Sequence, residues 1–148
     1  MRFTVEALAR VPPAYAYAWY TDFKESDMRL ARTPGRRRVM RLPNGEIDIL
    51  VAAPWPLGAL AIEYLVKPDD AALAYDVDVG GSLLHGRARY AFEAHAEGTR
   101  IVVAWSVERR GLALLAWTGL ARWLLARATR HFVRAMERDA RSGKPPRG

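Results

Sequence analysis

Apolar positions along the chain follow two periods, and the change from one to the other divides it. Between residues 37 and 109 they alternate with polar ones, the two-residue period of strands with one wet face. Between residues 111 and 140 they recur every three or four residues, as in a helix. That last stretch has no proline, Gly119 is its only internal glycine, and good helix formers dominate it. A helix of about 28 residues is about 40 Å long, so it must lie across something. The alternating segments are the candidate.

Winding the helix at about 100° per residue sorts its side chains. One face collects Leu114, Trp117, Thr118, Ala121, Leu125, Ala128, Phe132, Ala135 and Met136, and the opposite face carries Leu112, Ala116, Trp123, Arg127, Arg130, Arg134 and Arg141. From Arg127 onward the pattern is amphipathic. Before it the helix is apolar nearly all round, because Leu112, Ala116, Leu120 and Trp123 lie away from the buried face. That half needs a second cover: a neighbouring loop, a dimer partner or a membrane surface.

The first strand, residues 2–9, sets Phe3, Val5 and Ala7 against Arg2, Thr4 and Glu6. Pro12 and Pro13 suit the first turn of a helix, predicted over 14–22 with Tyr15, Ala18 and Trp19 as its buried side. A second short helix is predicted over 25–31, stopped by Thr33, Pro34 and Gly35. A meander of strands follows. Residues 37–42 end at a Pro43-Asn44-Gly45 hairpin turn, and 46–52 alternate Ile47, Ile49 and Val51 with Glu46, Asp48 and Leu50. After an irregular loop at 54–58, residues 59–67 place Leu60, Ile62, Tyr64 and Val66 on one side. Pro68-Asp69-Asp70 is a predicted turn, after which Leu73, Tyr75, Val77 and Val79 oppose Asp76 and Asp78. Gly80-Gly81 predicts another turn, and 84–94 set Ala88, Tyr90 and Phe92 opposite Arg87, Arg89 and Glu93. The chain reverses at Glu97-Gly98 into 99–109, where Ile101, Val103, Trp105 and Val107 face inward. Such one-sided strands predict an antiparallel sheet with one solvated face, on which Asp76 and Asp78 share a side with Arg87 and Arg89.

The order is one strand, two short helices, six antiparallel strands and a long helix, an α+β chain. With the stretches PPAYAYAWYTDF and HGRARYAFEAHAEGTRIVVAWSVE, it resembles the START-like helix-grip fold of the SRPBCC superfamily of polyketide cyclases and lipid-transport proteins. The resemblance spans essentially the whole chain and rests on element order, with no catalytic motif. It implies a curved sheet of about seven strands gripping the C-terminal helix, with a ligand cavity between them. Members bind sterols, lipids, quinones, hormones or polyketides, and some cyclise or dehydrate their ligand. The expected organisation is one domain over 1–141 and a basic flexible tail over 142–148.

Composition narrows the rest. A chain of 148 residues, 51% of them hydrophobic, is one folded domain. With no cysteine, disulfide scaffolds and thiolate metal sites are excluded. No signal peptide or bilayer-spanning run is expected, since the N-terminus enters a strand and Arg122 interrupts the longest apolar run; the expected location is cytoplasmic. The net charge of +7 admits anionic partners, but the arginines are not interleaved with exposed aromatics and no reading helix is evident, so nucleic acid is not expected.

Catalytic signals are sparse. His85 and His95 fall on the outward face and His131 on the helix flank, so neither a metal nor a cofactor is expected. There is no nucleophile-elbow, P-loop or dinucleotide motif, and Gly80-Gly81-Ser82 reads as a turn. Asp22 and Asp27 are read as capping or solvated residues near the first helices, held in reserve as candidates for catalysis. The predicted inner face carries no charge. Its polar atoms come from Tyr64, Tyr75, Tyr90, Trp105 and Thr118, and these with Trp117, Ala121, Leu125 and Ala128 form the expected ligand-binding set. Arg36, Arg37 and Arg38 read either as a solvated strand end or as a greeting for a carboxylate or phosphate at the entrance. The expected function is binding or transport of a hydrophobic small molecule. The alternative is a cyclase or dehydratase in which Tyr64, Tyr75 or Tyr90 assists proton transfer. Leu112, Leu120 and Trp123, followed by Arg127, Arg130 and Arg134, fit docking on an anionic membrane, with a homodimer through the same patch as the competing reading.

Overall fold

Seven strands form one sheet in the order β1-β7-β6-β5-β4-β3-β2, every neighbouring pair antiparallel. They are β1 (Arg2–Ala9), β2 (Arg36–Arg41), β3 (Ile47–Ala52), β4 (Ala61–Asp69), β5 (Ala74–Gly81), β6 (Leu84–His95) and β7 (Gly98–Arg109). Among the described residues two helices accompany them, α1 (Pro13–Thr21) between β1 and β2, and α2 (Trp117–Arg141) after β7. The computed structural model describes residues 2–24, 27, 35–52, 61–81, 84–109 and 117–146, without the side chains of residues 84, 109, 117 and 118. The short helix expected over 25–31 lies outside this description except for Asp27, as do the loop at 54–58, Leu60, Leu112, Leu114 and Ala116.

The alternation predicted from sequence sets the two faces. Val5, Ile47, Ile49, Val66, Tyr75, Val77, Val79, Phe92, Ile101 and Val103 are buried on the concave side. On the convex side Asp76 stands opposite Arg89 and Asp78 opposite Arg87, with ion pairs of 2.7 and 3.2 Å. The C-terminal half of α2 closes the core through Val133, Ala135 and Met136. Its end is tied down twice: Trp19 Nε1 donates to Asp139 at 3.0 Å and the Arg10 amide to Glu137 at 2.8 Å. Gly143, at φ 68°, then reverses the chain, and Tyr15 donates to the Lys144 carbonyl at 3.2 Å.

Three expectations change. In α1 the buried residues are Ala16, Tyr17 and Trp19, rather than Tyr15, Ala18 and Trp19. The reason is that α1 is covered from two sides, by Phe92 against Tyr17 and by Phe132 against Trp19. β4 runs on through Pro68, which pairs with Tyr75, and the reversal comes later. There the Ala72 amide donates to the Asp69 carboxylate and Leu73 takes φ 46°. β5 likewise continues through Gly80 and Gly81. At Pro43-Asn44-Gly45 the hairpin forms as expected, with Gly45 at φ 85° and the Leu42 amide donating to Glu46 O at 2.8 Å. This turn fixes the β2–β3 register, pairing Arg41 with Ile47, Val39 with Ile49 and Arg37 with Val51.

Candidate functional site

Where α2 passes over β3 to β7, the core gives way to a pocket of about 270 Å³. The sheet supplies Tyr64 from β4, Tyr75 from β5, Tyr90 from β6 and Trp105 from β7, with Val51, Val66 and Val77 between them. From α2 come Leu125, Ala128, Thr129 and Phe132, and from α1 and the residues after it Trp19, Tyr20, Phe23 and Asp27. The pleat explains the gathering. Tyr64 pairs with Val79, Tyr75 with Tyr90, and Trp105 with Ala88, so all four aromatics stand on the inward parity of adjoining strands. Tyr75 and Tyr90 stack at 4.6 Å, and Trp105 meets Tyr64 edge-on at 6.5 Å.

Arg37 enters this wall. Its register opposite Val51 turns it to the concave side, where the side chain is 11% exposed. Its Nη1 reaches Asp27, itself 13% exposed, at 3.3 Å, and the guanidinium lies 5.8 Å from the Phe23 ring centroid. The expectation of an uncharged inner face is therefore overturned, as is the solvated reading of Arg37. A strand that begins in three arginines must send the middle one to the opposite side from its neighbours; Arg36 and Arg38 do point to solvent. Asp27, expected to cap or solvate a helix, lines the pocket as the partner of this cation, while also accepting from the Lys24 amide at 2.9 Å. Asp22, the other reserve candidate, is buried away from the pocket lining beside Lys24 at 2.7 Å.

Burial dominates the electrostatics. Desolvation pushes the phenols of Tyr20, Tyr64, Tyr75 and Tyr90 above their ordinary range, so they are neutral donors at physiological pH. Desolvation also lowers the Arg37 pKa, opposed by Asp27 and then by Tyr75, Tyr64 and Tyr90. Three buried polar atoms of lining residues have no well-formed hydrogen bond among the described residues: Tyr20 Oη, Arg37 Nε and Trp105 Nε1. The Trp105 N–H does act on the Tyr90 hydroxyl, drawing its pKa back slightly, but falls short of a well-formed hydrogen bond. Such unpaired buried groups are uncommon, and here all three belong to residues that line one pocket.

Of the ligand-binding set expected from sequence, Tyr64, Tyr75, Tyr90, Trp105, Leu125 and Ala128 line the pocket. Ala121 is half-buried one turn before Leu125 and is not part of the lining; the side chains of Trp117 and Thr118 are outside the description. Arg37 and Asp27 have a place in the sequence reading only as an entrance and a reserve candidate, and Tyr20, Phe23 and Thr129 have none as pocket residues. Thr129 is buried because its hydroxyl returns to the Leu125 carbonyl at 2.8 Å, removing the cost of placing it there. The three histidines stay out of the lining, with His85 and His95 exposed on the convex side. No group of three His, Asp or Glu suited to a metal ion occurs among the described residues.

No protein-family model matches the chain, and no curated protein sequence matches it significantly. Solved structures do. TTHA0849 from Thermus thermophilus is 15% identical and superposes with a TM-score of 0.74 over 97% of this chain and 99% of that one. The Zhui aromatase/cyclase from Streptomyces sp. R1128 is 9% identical, with a TM-score of 0.73 over 97% and 96% of the two chains. Ara h 8.0201 is 19% identical, with a TM-score of 0.69 over 96% and 98%.

The chain has the START-like helix-grip fold.

At these identities the likeness is one of fold, and the side chains that fill the helix-grip pocket here are this protein's own. Among the described residues no helix is long and apolar enough to cross a membrane.

Proposed function

We propose that this helix-grip protein binds a compact hydrophobic molecule, rich in rings, between the sheet and α2. The observation that carries the reading is the pocket wall itself: eight aromatic side chains surround about 270 Å³, with the Arg37 guanidinium and the Thr129 side chain among the few polar groups in the lining. Ligand sites are mostly apolar concavities with a few placed polar groups, and this volume is at their small end. It suits a molecule of one to three rings better than a two-chain lipid. Native mass spectrometry after gentle purification, with uptake of small aromatic fluorophores as the second measurement, tests the reading. Persistent absence of any bound molecule in both measurements would defeat it.

A second reading is a cyclase or dehydratase acting in the same pocket, supported by the names of two neighbours, the Zhui aromatase/cyclase and the di-domain ARO/CYC StfQ of the steffimycin pathway. Raised phenol pKa values make Tyr64, Tyr75 and Tyr90 poor bases but good neutral donors to a developing oxyanion, and confinement alone accelerates ring closure. Turnover of a poly-β-ketone thioester that survives all three Tyr→Phe changes would remove this mechanism.

The location of the protein is a separate matter. Leu120, Trp123 and Leu124 stand exposed on α2, Arg127 lies 5.4 Å from the Trp123 ring, and no carboxylate interrupts the helix before Glu137. That combination supports docking on an anionic bilayer. Trp123→Glu should abolish co-sedimentation with phosphatidylserine vesicles; sedimentation velocity without vesicles would instead reveal a homodimer using the same patch.

A further inference from the structure

Arg37 is a costly residue for a pocket that only needs to hold something oily. A buried cation requires a partner for its charge and for each of its N–H groups. Guanidinium offers five such donors. Asp27 takes one through a 3.3 Å contact, while Nε, also buried, has no acceptor among the described residues. Phe23 lies against the guanidinium, its ring centroid 5.8 Å away, and Tyr64, Tyr75 and Tyr90 line the same pocket. In the same lining Tyr20 Oη also lacks a hydrogen-bond partner among the described residues, while the Trp105 N–H already acts on the Tyr90 hydroxyl. Guanidinium can only donate, so what is missing is an acceptor. A neutral aromatic guest would leave the Nε donor and its charge as they are.

We propose that the ligand is a compact aromatic monocarboxylate whose carboxylate accepts from the Arg37 guanidinium while its ring system occupies the space walled by Tyr64, Tyr75, Tyr90 and Trp105. This rests on the pocket being a ligand site and adds the charge and the chemical class. Carboxylate fits better than phosphate, because a single cation already shared with Asp27 cannot neutralise a dianion. Asp27 is a restraint in this arrangement. It holds the guanidinium in the pocket wall and competes with the incoming acid.

The experiment compares 2-naphthoate with 2-naphthamide, nearly the same shape with and without the charge, by calorimetry at neutral pH. The wild-type protein should prefer the acid by about tenfold or more, the range of a charge-assisted hydrogen bond. Arg37→Met should bring acid and amide to similar affinity, Arg37→Lys should keep part of the preference, and Asp27→Asn should tighten the acid severalfold. Equal binding of acid and amide by the wild type overturns the proposal and leaves the hydrophobic-ligand reading standing. So does a preference that persists in Arg37→Met. Failure of the wild type to bind either compound overturns both. The wild-type comparison requires no variant to fold.

Discussion

Arg37 stands directly across the β2–β3 hairpin from Val51, and this pairing puts a cation in an aliphatic and aromatic wall. The contact with Asp27 is a single one at 3.3 Å, between side chains 11% and 13% exposed. Replacing such a pair with apolar or neutral groups is often neutral or stabilising, whereas removing one member leaves the other buried alone. Arg37→Met with Asp27→Asn should therefore be as stable as the wild type or up to about 2 kcal/mol more stable, and Arg37→Met alone less stable than the double variant. Urea denaturation of the three proteins checks this. A double variant weaker than wild type by more than about 2 kcal/mol would make the pair a structural device rather than a functional one.

Tyr20, Tyr75 and Tyr90 all have pKa values raised by burial above the ordinary 10.0. A group whose folded pKa exceeds its unfolded value contributes stability that is whole below the unfolded pKa. That stability is lost as pH rises toward the folded value. Stability should thus fall once pH passes about 10, with the folded protein retaining its protons and the unfolded chain losing them. Absorbance at 295 nm should show these phenols ionising together with the loss of circular dichroism. Smooth ionisation near pH 10 with the fold intact would contradict the burial described.

Gly98 turns β6 into β7 at φ 136°, and a Cβ there would lie 2.3 Å from the Ala9 carbonyl oxygen. Close by, Thr99 is fully buried and donates to the Val11 carbonyl at 2.6 Å, so the turn is locked against the end of β1. Strained backbone and a clash with another backbone cannot both be relieved by a rotamer change. Gly98→Ala should cost at least about 2 kcal/mol in chemical denaturation, while Gly80→Ala, with open space around its Cβ, should cost much less.

The convex ion pairs are a contrasting case. Asp76 and Arg89 approach within 2.7 Å but are each about half exposed, so water and salt screen them. Arg89→Ala should change stability by less than about 1 kcal/mol, and 1 M salt should reduce even that. A larger loss would mean that this face supports the sheet as well as solvating it.

Strand parity carried most of the fold into view from sequence. Tyr64, Tyr75, Tyr90 and Trp105 each sit at inward positions of clear alternating runs, and they meet in the pocket. β2 gave no such run, because arginine occupies both parities. Its facing was nevertheless implied by the Pro43-Asn44-Gly45 turn, which pairs Arg41 with Ile47 and so Arg37 with Val51. A charge at a strand end reads as solvated on local grounds, and only pairing with an already oriented strand corrects it. Tyr20 was hidden differently: α1 is covered from two sides, so no single apolar stripe marks its inner face.

Ala128 provides the sharpest test of whether the space beneath α2 has a use. It lines the pocket in a turn that also presents Leu125 and Thr129, and a larger side chain there would extend toward the aromatic wall. Filling a void in a core commonly stabilises, and filling a binding site removes its function at no cost to the fold. Ala128→Leu should leave the unfolding free energy unchanged or raise it by about 1 kcal/mol, while weakening binding of small aromatic ligands by tenfold or more. Calorimetry and urea denaturation on the same sample separate the two effects. A stabilised variant that still binds at wild-type affinity would place the ligand elsewhere on the molecule, and a strongly destabilised one would mean the space is already needed for packing.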